Sequence, residues 1–118
     1  MEFGFVGFGL IGGSIAKALK IAHPNCTITA TTRTLSVLEP AKKDGVVDNI
    51  VPTVNESFNN CDYIFLCTPV ITITQYLKQL KPFIKKSCII TDVGSVKGAI
   101  HKAVTQLDME DNFIGGHP

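Results

Sequence analysis

The sequence predicts an α/β domain: a doubly wound, mainly parallel sheet with helices on both faces. Three observations predict it. Short apolar runs alternate with helical periodicities along the whole chain, the mark of successive strand–helix–strand units. Those runs are apolar with little in-and-out alternation, which suits strands covered on both sides. The first run passes through GFVGFGLIGG, a glycine-punctuated turn, straight into a helical pattern.

The elements follow in order. Phe3–Val6 is a short apolar strand. A helix begins near Leu10, with Ile11, Ile15, Ala18, Leu19 and Ala22 spaced as one apolar face. His23-Pro24-Asn25 ends it, because proline cannot continue a helix and disfavours helical geometry in the residue before it. Thr27–Thr32 is rich in β-branched residues and reads as the second strand. A helix is expected over Ser36–Lys43, with Ser36 as N-cap, so that Pro40 falls in the first turn where its missing N–H costs nothing. Asp44-Gly45 closes it. Asn49–Val51 is a weak third strand, Asn55–Asn60 one helical turn, and Asp62–Cys67 a buried strand. Helix Ile71–Leu80, strand Cys88–Thr91, helix Val96–Leu107 and strand Asn112–Ile114 complete the series.

The chain of 118 residues is the size of one domain, and 45% hydrophobic against 18% charged residues gives it ample material for a core. A net charge of +1 gives no electrostatic case for nucleic acid or an anionic membrane surface. No apolar run is long enough to span a bilayer. The N-terminus passes from Glu2 into strand-like sequence, unlike a secretory signal, so a cytoplasmic location is expected. Cys26, Cys61, Cys67 and Cys88 lack CxxC spacing, so they read as small buried hydrophobes in a reducing compartment and no metal site is expected.

Each glycine of the first loop has a physical task if a dinucleotide binds there. Gly7 makes the turn, Gly9 lets the backbone approach a pyrophosphate, and Gly12 lets helix and strand pack closely. The helix N-terminus, with Leu10 and Ile11 in its first turn, offers N–H groups and a positive dipole to the phosphates. The alternative is a tight turn without a ligand. Flanking strand, helix and second strand favour a Rossmann-type dinucleotide-binding loop over that alternative. NAD sites usually place an acidic residue about 20 residues beyond the loop, on the ribose hydroxyls. Here no acidic residue lies between Glu2 and Glu39, and Thr32-Arg33-Thr34 stands at the end of the second strand. An arginine flanked by hydroxyls suits a 2′-phosphate, so NADP is favoured over NAD. The plainer reading makes Arg33 a solvated residue, or one stacked on adenine with either cofactor.

In an open parallel sheet, ligands bind beyond the carboxyl ends of the strands. Cys67-Thr68-Pro69-Val70, Asp92-Val93-Gly94-Ser95-Val96-Lys97 and Gly115-Gly116-His117-Pro118 should all emerge there. Ser95 and His117 are thereby brought beside the nicotinamide end, where a histidine can accept a hydroxyl proton and a serine can orient it. Ser95 also makes a good N-cap for the helix after it. Asp92 reads as a strand-end hydrogen-bonding residue and Lys97 as an exposed first-turn residue. His23 and His101 are assigned no chemistry.

GFGLIGGSIAKALK, FLCTPV, TDVGSVKGAI and FIGGHP, in this order and spacing, resemble the prephenate/arogenate dehydrogenase family. The resemblance covers the whole chain, and its last two motifs separate the family from generic dinucleotide-binding domains. It implies that residues 1–118 are the cofactor half of an enzyme whose helical C-terminal domain, absent here, dimerises and closes the substrate pocket. The implied reaction is the NAD(P)-dependent oxidative decarboxylation of prephenate or arogenate in tyrosine biosynthesis. His117 matches the family's catalytic histidine, and Ser95 the serine bonded to it and to the substrate hydroxyl. Gly7, Gly9, Leu10, Ile11 and Gly12 match the pyrophosphate loop, and Cys67-Thr68-Pro69 the stretch beside the nicotinamide ribose. Thr32-Arg33-Thr34 departs from members with an acidic residue there and looks like the NADP-using ones. Two rivals remain at this level: the cofactor domain of another two-domain dehydrogenase or reductase, and a non-catalytic dinucleotide-binding module.

Overall fold

Glu2–Val6 forms β1 at the centre of the sheet, and its residues explain that position. Phe3 and Phe5 fill one face and Val6 the other. Gly4 admits the Phe58 ring, which an added Cβ would approach to 2.8 Å. The computed structural model describes residues 1–68, 70–93, 104–109 and 111–115. After β1 come α1 (Gly9–Ala22), β2 (Thr27–Thr31), α2 (Glu39–Lys43), β3 (Asn49–Ile50), β4 (Tyr63–Leu66), α3 (Val70–Leu80), β5 (Ile89–Asp92) and β6 (Phe113–Gly115). The strands form one sheet in the order β3-β2-β1-β4-β5-β6, and every pairing is parallel. This is the doubly wound Rossmann order, with its switch point between β1 and β4.

Two cores lie on the two faces. On one, Ala16 of α1 and Leu38 pack with Phe3, Phe5, Ile28 and Ala30. Phe5 stacks on Phe65 at 5.0 Å and meets Phe8 edge-on at 5.8 Å, so truncation to alanine is expected to cost about 3–5 kcal/mol. On the other face, Ile73, Leu77 and Leu80 of α3 pack with Val6, Ile64, Leu66 and Ile90, joined by Val104 and Met109. Of the helix expected over Val96–Leu107, residues 96–103 lie outside the described residues, and residues 104–106 are helical.

Two expectations need correction. The face that α1 buries is formed by Gly12 and Ala16, with Ile15 and Leu19 half-buried, whereas Ile11, Ala18 and Ala22 are exposed. The helix approaches the sheet and the loop after β4 closely enough that small residues, not the most apolar ones, must face inward. Nor does Ser36 cap a helix. Residues Leu35–Leu38 form a 3₁₀ turn after Thr34, and α2 begins only at Glu39, with Pro40 in its first turn as expected. Leu38, fully buried, sets that phase. A third short turn does use a side-chain cap: Asn55 accepts the Ser57 N–H at 2.9 Å and opens the 3₁₀ turn Glu56–Phe58.

Two aspartates fasten the amino-terminal edge of the sheet. Asp48 Oδ2, just before β3, accepts the Ile28 N–H of β2 at 2.8 Å and the Lys20 ammonium at 2.7 Å. Asp62, just before β4, accepts the Glu2 N–H of β1 on Oδ2 and Lys85 Nζ on Oδ1, both at 2.8 Å. Each carboxylate thus ties the start of one strand to its neighbour and to a lysine. All four cysteines are free, with Cys26, Cys61 and Cys88 buried and Cys67 half-buried. Among the described residues, no helix is long and apolar enough to cross a membrane.

Candidate functional site

At the carboxyl-terminal edge, backbone hydrogen bonds draw four strand ends together. The Gly7 N–H donates to the Thr31 carbonyl at 2.7 Å, and the Cys67 N–H to the Val6 carbonyl at 2.8 Å. The Val93 N–H donates to the Leu66 carbonyl at 3.1 Å, and Asp92 lies in register with Gly115 of β6. An open cleft of about 390 Å³ lies at this edge, lined by Phe8 to Gly12 together with Cys67, Thr68 and Val93.

The glycine loop builds the floor of that cleft. Gly7 has φ +81° and lies so close to the loop after β4 that an added Cβ would stand 2.6 Å from Thr68 Cγ2. Gly9 has φ +33° but nothing within 4 Å of an added Cβ, so its backbone fronts open space. Gly12 faces Cys67, whose Sγ would lie 3.2 Å from an added Cβ. Gly7 therefore makes the turn, Gly9 leaves the loop backbone open to the cleft, and Gly12 lets α1 pack closely on the loop after β4.

The first turn of α1 is chemically bare. Its N-cap is Phe8, which makes no side-chain cap hydrogen bond, and no acidic residue stands in the turn. Unpartnered N–H groups and the positive end of the helix dipole then face an anion well. Leu10 and Ile11 are exposed beside it. Thr68 adds a second observation: among the described residues its hydroxyl oxygen is buried with no hydrogen-bond partner, which is costly unless a ligand supplies one. Asp92, at the end of β5, is buried. Burial pushes the Cys67 thiol up to about 11, so it serves the cleft as a neutral packing group rather than a nucleophile.

Thr32 is half-buried, and Arg33 and Thr34 are exposed, immediately beyond β2. They do not line the cleft itself. The Gly7–Thr31 bond fixes their distance from the glycine loop, and among the described residues Arg33 has no ion pair. Pro69, Ser95 and His117 lie outside the described residues. Phe8 and Val93 line the cleft without having been singled out from sequence. Each sits inside a motif that was, next to residues with more evident chemistry.

A strand order reversing beside a glycine-lined, anion-ready cleft defines a dinucleotide-binding domain of the dehydrogenase type. The chain belongs to the family of prephenate dehydrogenase nucleotide-binding domains, whose family model matches residues 15–118. It is 39% identical over 116 residues to the prephenate dehydrogenase of Lactococcus lactis, covering 96% of this chain and 32% of that protein. Among solved structures it resembles prephenate dehydrogenase from A. aeolicus in complex with hydroxyphenyl propionate and NAD+, with TM-score 0.89 and 28% identity. It also resembles Synechocystis arogenate dehydrogenase, with TM-score 0.86 and 37% identity. Each match spans 100% of this chain and 41% of the solved chain, so the sequence covers less than half the length of these relatives.

Proposed function

We propose that this chain is the cofactor-binding half of an NAD(P)-dependent dehydrogenase that oxidatively decarboxylates prephenate or arogenate in tyrosine biosynthesis. The observation that carries the reading is the bare N-terminus of α1 opening on the cleft between β1 and β4, in a chain of this family. The Gly9 approach and the orphaned Thr68 hydroxyl fit a dinucleotide there.

In this reading the first-turn backbone amides of α1, from Gly9 to Ile11, with the helix dipole, hold the pyrophosphate. Arg33, flanked by Thr32 and Thr34, takes the adenosine 2′-phosphate by charge-assisted hydrogen bonds, so NADP is preferred over NAD. Thr68 and Pro69 border the nicotinamide ribose. The nicotinamide supplies the acceptor for the hydride that leaves the ring carbon bearing the hydroxyl. His117 takes that hydroxyl's proton, and Ser95 orients the imidazole and the hydroxyl. As CO2 departs, the electrons of the broken carbon–carboxyl bond complete the aromatic ring. A helical C-terminal domain closes the substrate pocket and pairs the enzyme as a homodimer. Free cysteines suit a reducing cytoplasm.

The test is turnover of prephenate and of arogenate by the longer enzyme, followed by NAD(P)H absorbance. Turnover of either substrate supports the reading; no turnover with either overturns it. The 118-residue chain alone is expected to bind NADP(H) with negligible turnover.

A further inference from the structure

Registered neighbours in a parallel sheet share a face, and among the described residues the outer half of this sheet is sealed on one face only. Ile64, Leu66 and Ile90 are fully buried under α3. Their alternates Tyr63, Phe65, Ile89 and Thr91, paired Tyr63 with Ile89 and Phe65 with Thr91, are not. Tyr63 remains 39% exposed. On the same side, α1 covers Phe3 and Phe5 of β1, and its cover stops at a groove of about 290 Å³ bordered by Leu19, His23, Tyr63 and Phe65.

We propose that this half-open face of β4 and β5 seats an amphipathic helix from the polypeptide that follows residue 118 in the longer enzyme; the inference rests on the two-part reading above. Four observations choose that occupant. Parallel strands are normally covered on both faces, and apolar Tyr63, Phe65 and Ile89 match that requirement. Among the described residues, the helices of the first half lie over β1 to β3, while α3 and residues 104–106 lie over the opposite face, so an element following β6 has this face left to bury. The relatives supply the length, since this chain accounts for 41% of the solved ones. The covering layer beside it is already helical through α1, which favours a helix over a strand. Its upper end would reach Cys67 and Val93, which already wall the cleft.

The test is maleimide labelling of Tyr63→Cys in the longer enzyme and in the 118-residue chain. Cys26, Cys61 and Cys88 are buried and Cys67 is half-buried, with burial pushing Cys61 up to about 12 and Cys67 and Cys88 to about 11, so labelling at residue 63 is read as the excess over the unsubstituted protein of the same length. Labelling of the short chain, lost in the longer enzyme at every protein concentration, is the expected result. Equal labelling of both overturns the proposal, as does protection that appears in the short chain only at high concentration, which assigns the face to a second copy. If Tyr63→Cys does not fold, Ile89→Cys reads its register partner on the same face. Turnover of the unmodified longer enzyme is measured alongside: protection without turnover keeps the docked helix and removes the activity reading, and turnover without protection does the reverse.

Discussion

Gly7 and Thr68 are packed so closely that no side chain fits between them. An added Cβ on Gly7 would stand 2.6 Å from Thr68 Cγ2 and 2.7 Å from the Cys67 carbonyl oxygen, at φ +81°. The left-handed backbone alone costs a non-glycine residue about 1–3 kcal/mol, and overpacking adds about 1–3 kcal/mol. Gly7→Ala should therefore lower the urea midpoint of the domain sharply as well as weaken dinucleotide binding. Gly9→Ala is the contrasting case. At φ +33° it carries backbone strain of the same kind, but it meets nothing within 4 Å, so it should lower the midpoint less than Gly7→Ala while still weakening dinucleotide binding.

Arg33→Ala separates the two cofactors. Loss of charge-assisted hydrogen bonds to a phosphate should weaken NADP roughly ten- to hundredfold and leave NAD nearly unchanged. Calorimetric titration of both dinucleotides reads this directly. Equal weakening of both would assign Arg33 to the adenine ring instead.

In the longer enzyme, His117→Asn should lower kcat by about 10²- to 10⁴-fold, the usual contribution of a general base. Dinucleotide affinity should not change. Near-normal turnover would remove His117 from the reaction.

Asp62 gives the domain an acid-sensitive fastening. The Lys85 hydrogen bond first, and the Glu2 N–H second, hold its carboxyl below the usual carboxylate range. A group so depressed contributes stability that is present above its unfolded value of about 4 and is lost as pH falls through the lower folded value. Denaturation of the native domain should therefore steepen below that range. Asp62→Asn should be less stable at neutral pH and show a flatter loss in acid.

The parts of this fold governed by local pattern were legible in the sequence. An apolar strand, a glycine turn and a helix in succession located β1, the loop and α1 to within a residue. The inward face of α1 was not, because hydrophobicity selects Ile11 while close packing selects Gly12 and Ala16. Ser36 has the chemistry of a cap, yet burial of Leu38 winds a 3₁₀ turn through it. Asp48 and Asp62 gave no signal at all, since their partners are backbone N–H groups 20 and 60 residues away and lysines 28 and 23 residues away. At the site, the glycines and Thr68 were readable as motif positions. The orphaned state of the Thr68 hydroxyl follows only from three-dimensional packing.

The aspartate fastenings and the glycine cleft occupy opposite edges of the sheet, one before the strands begin and one after they end. Arg33 stands on the second edge, exposed and outside both cores. If Arg33 holds the 2′-phosphate as proposed, cofactor choice is a detachable property of this domain. An acidic replacement there is then expected to re-aim it toward the other dinucleotide while the scaffold beneath keeps its strength.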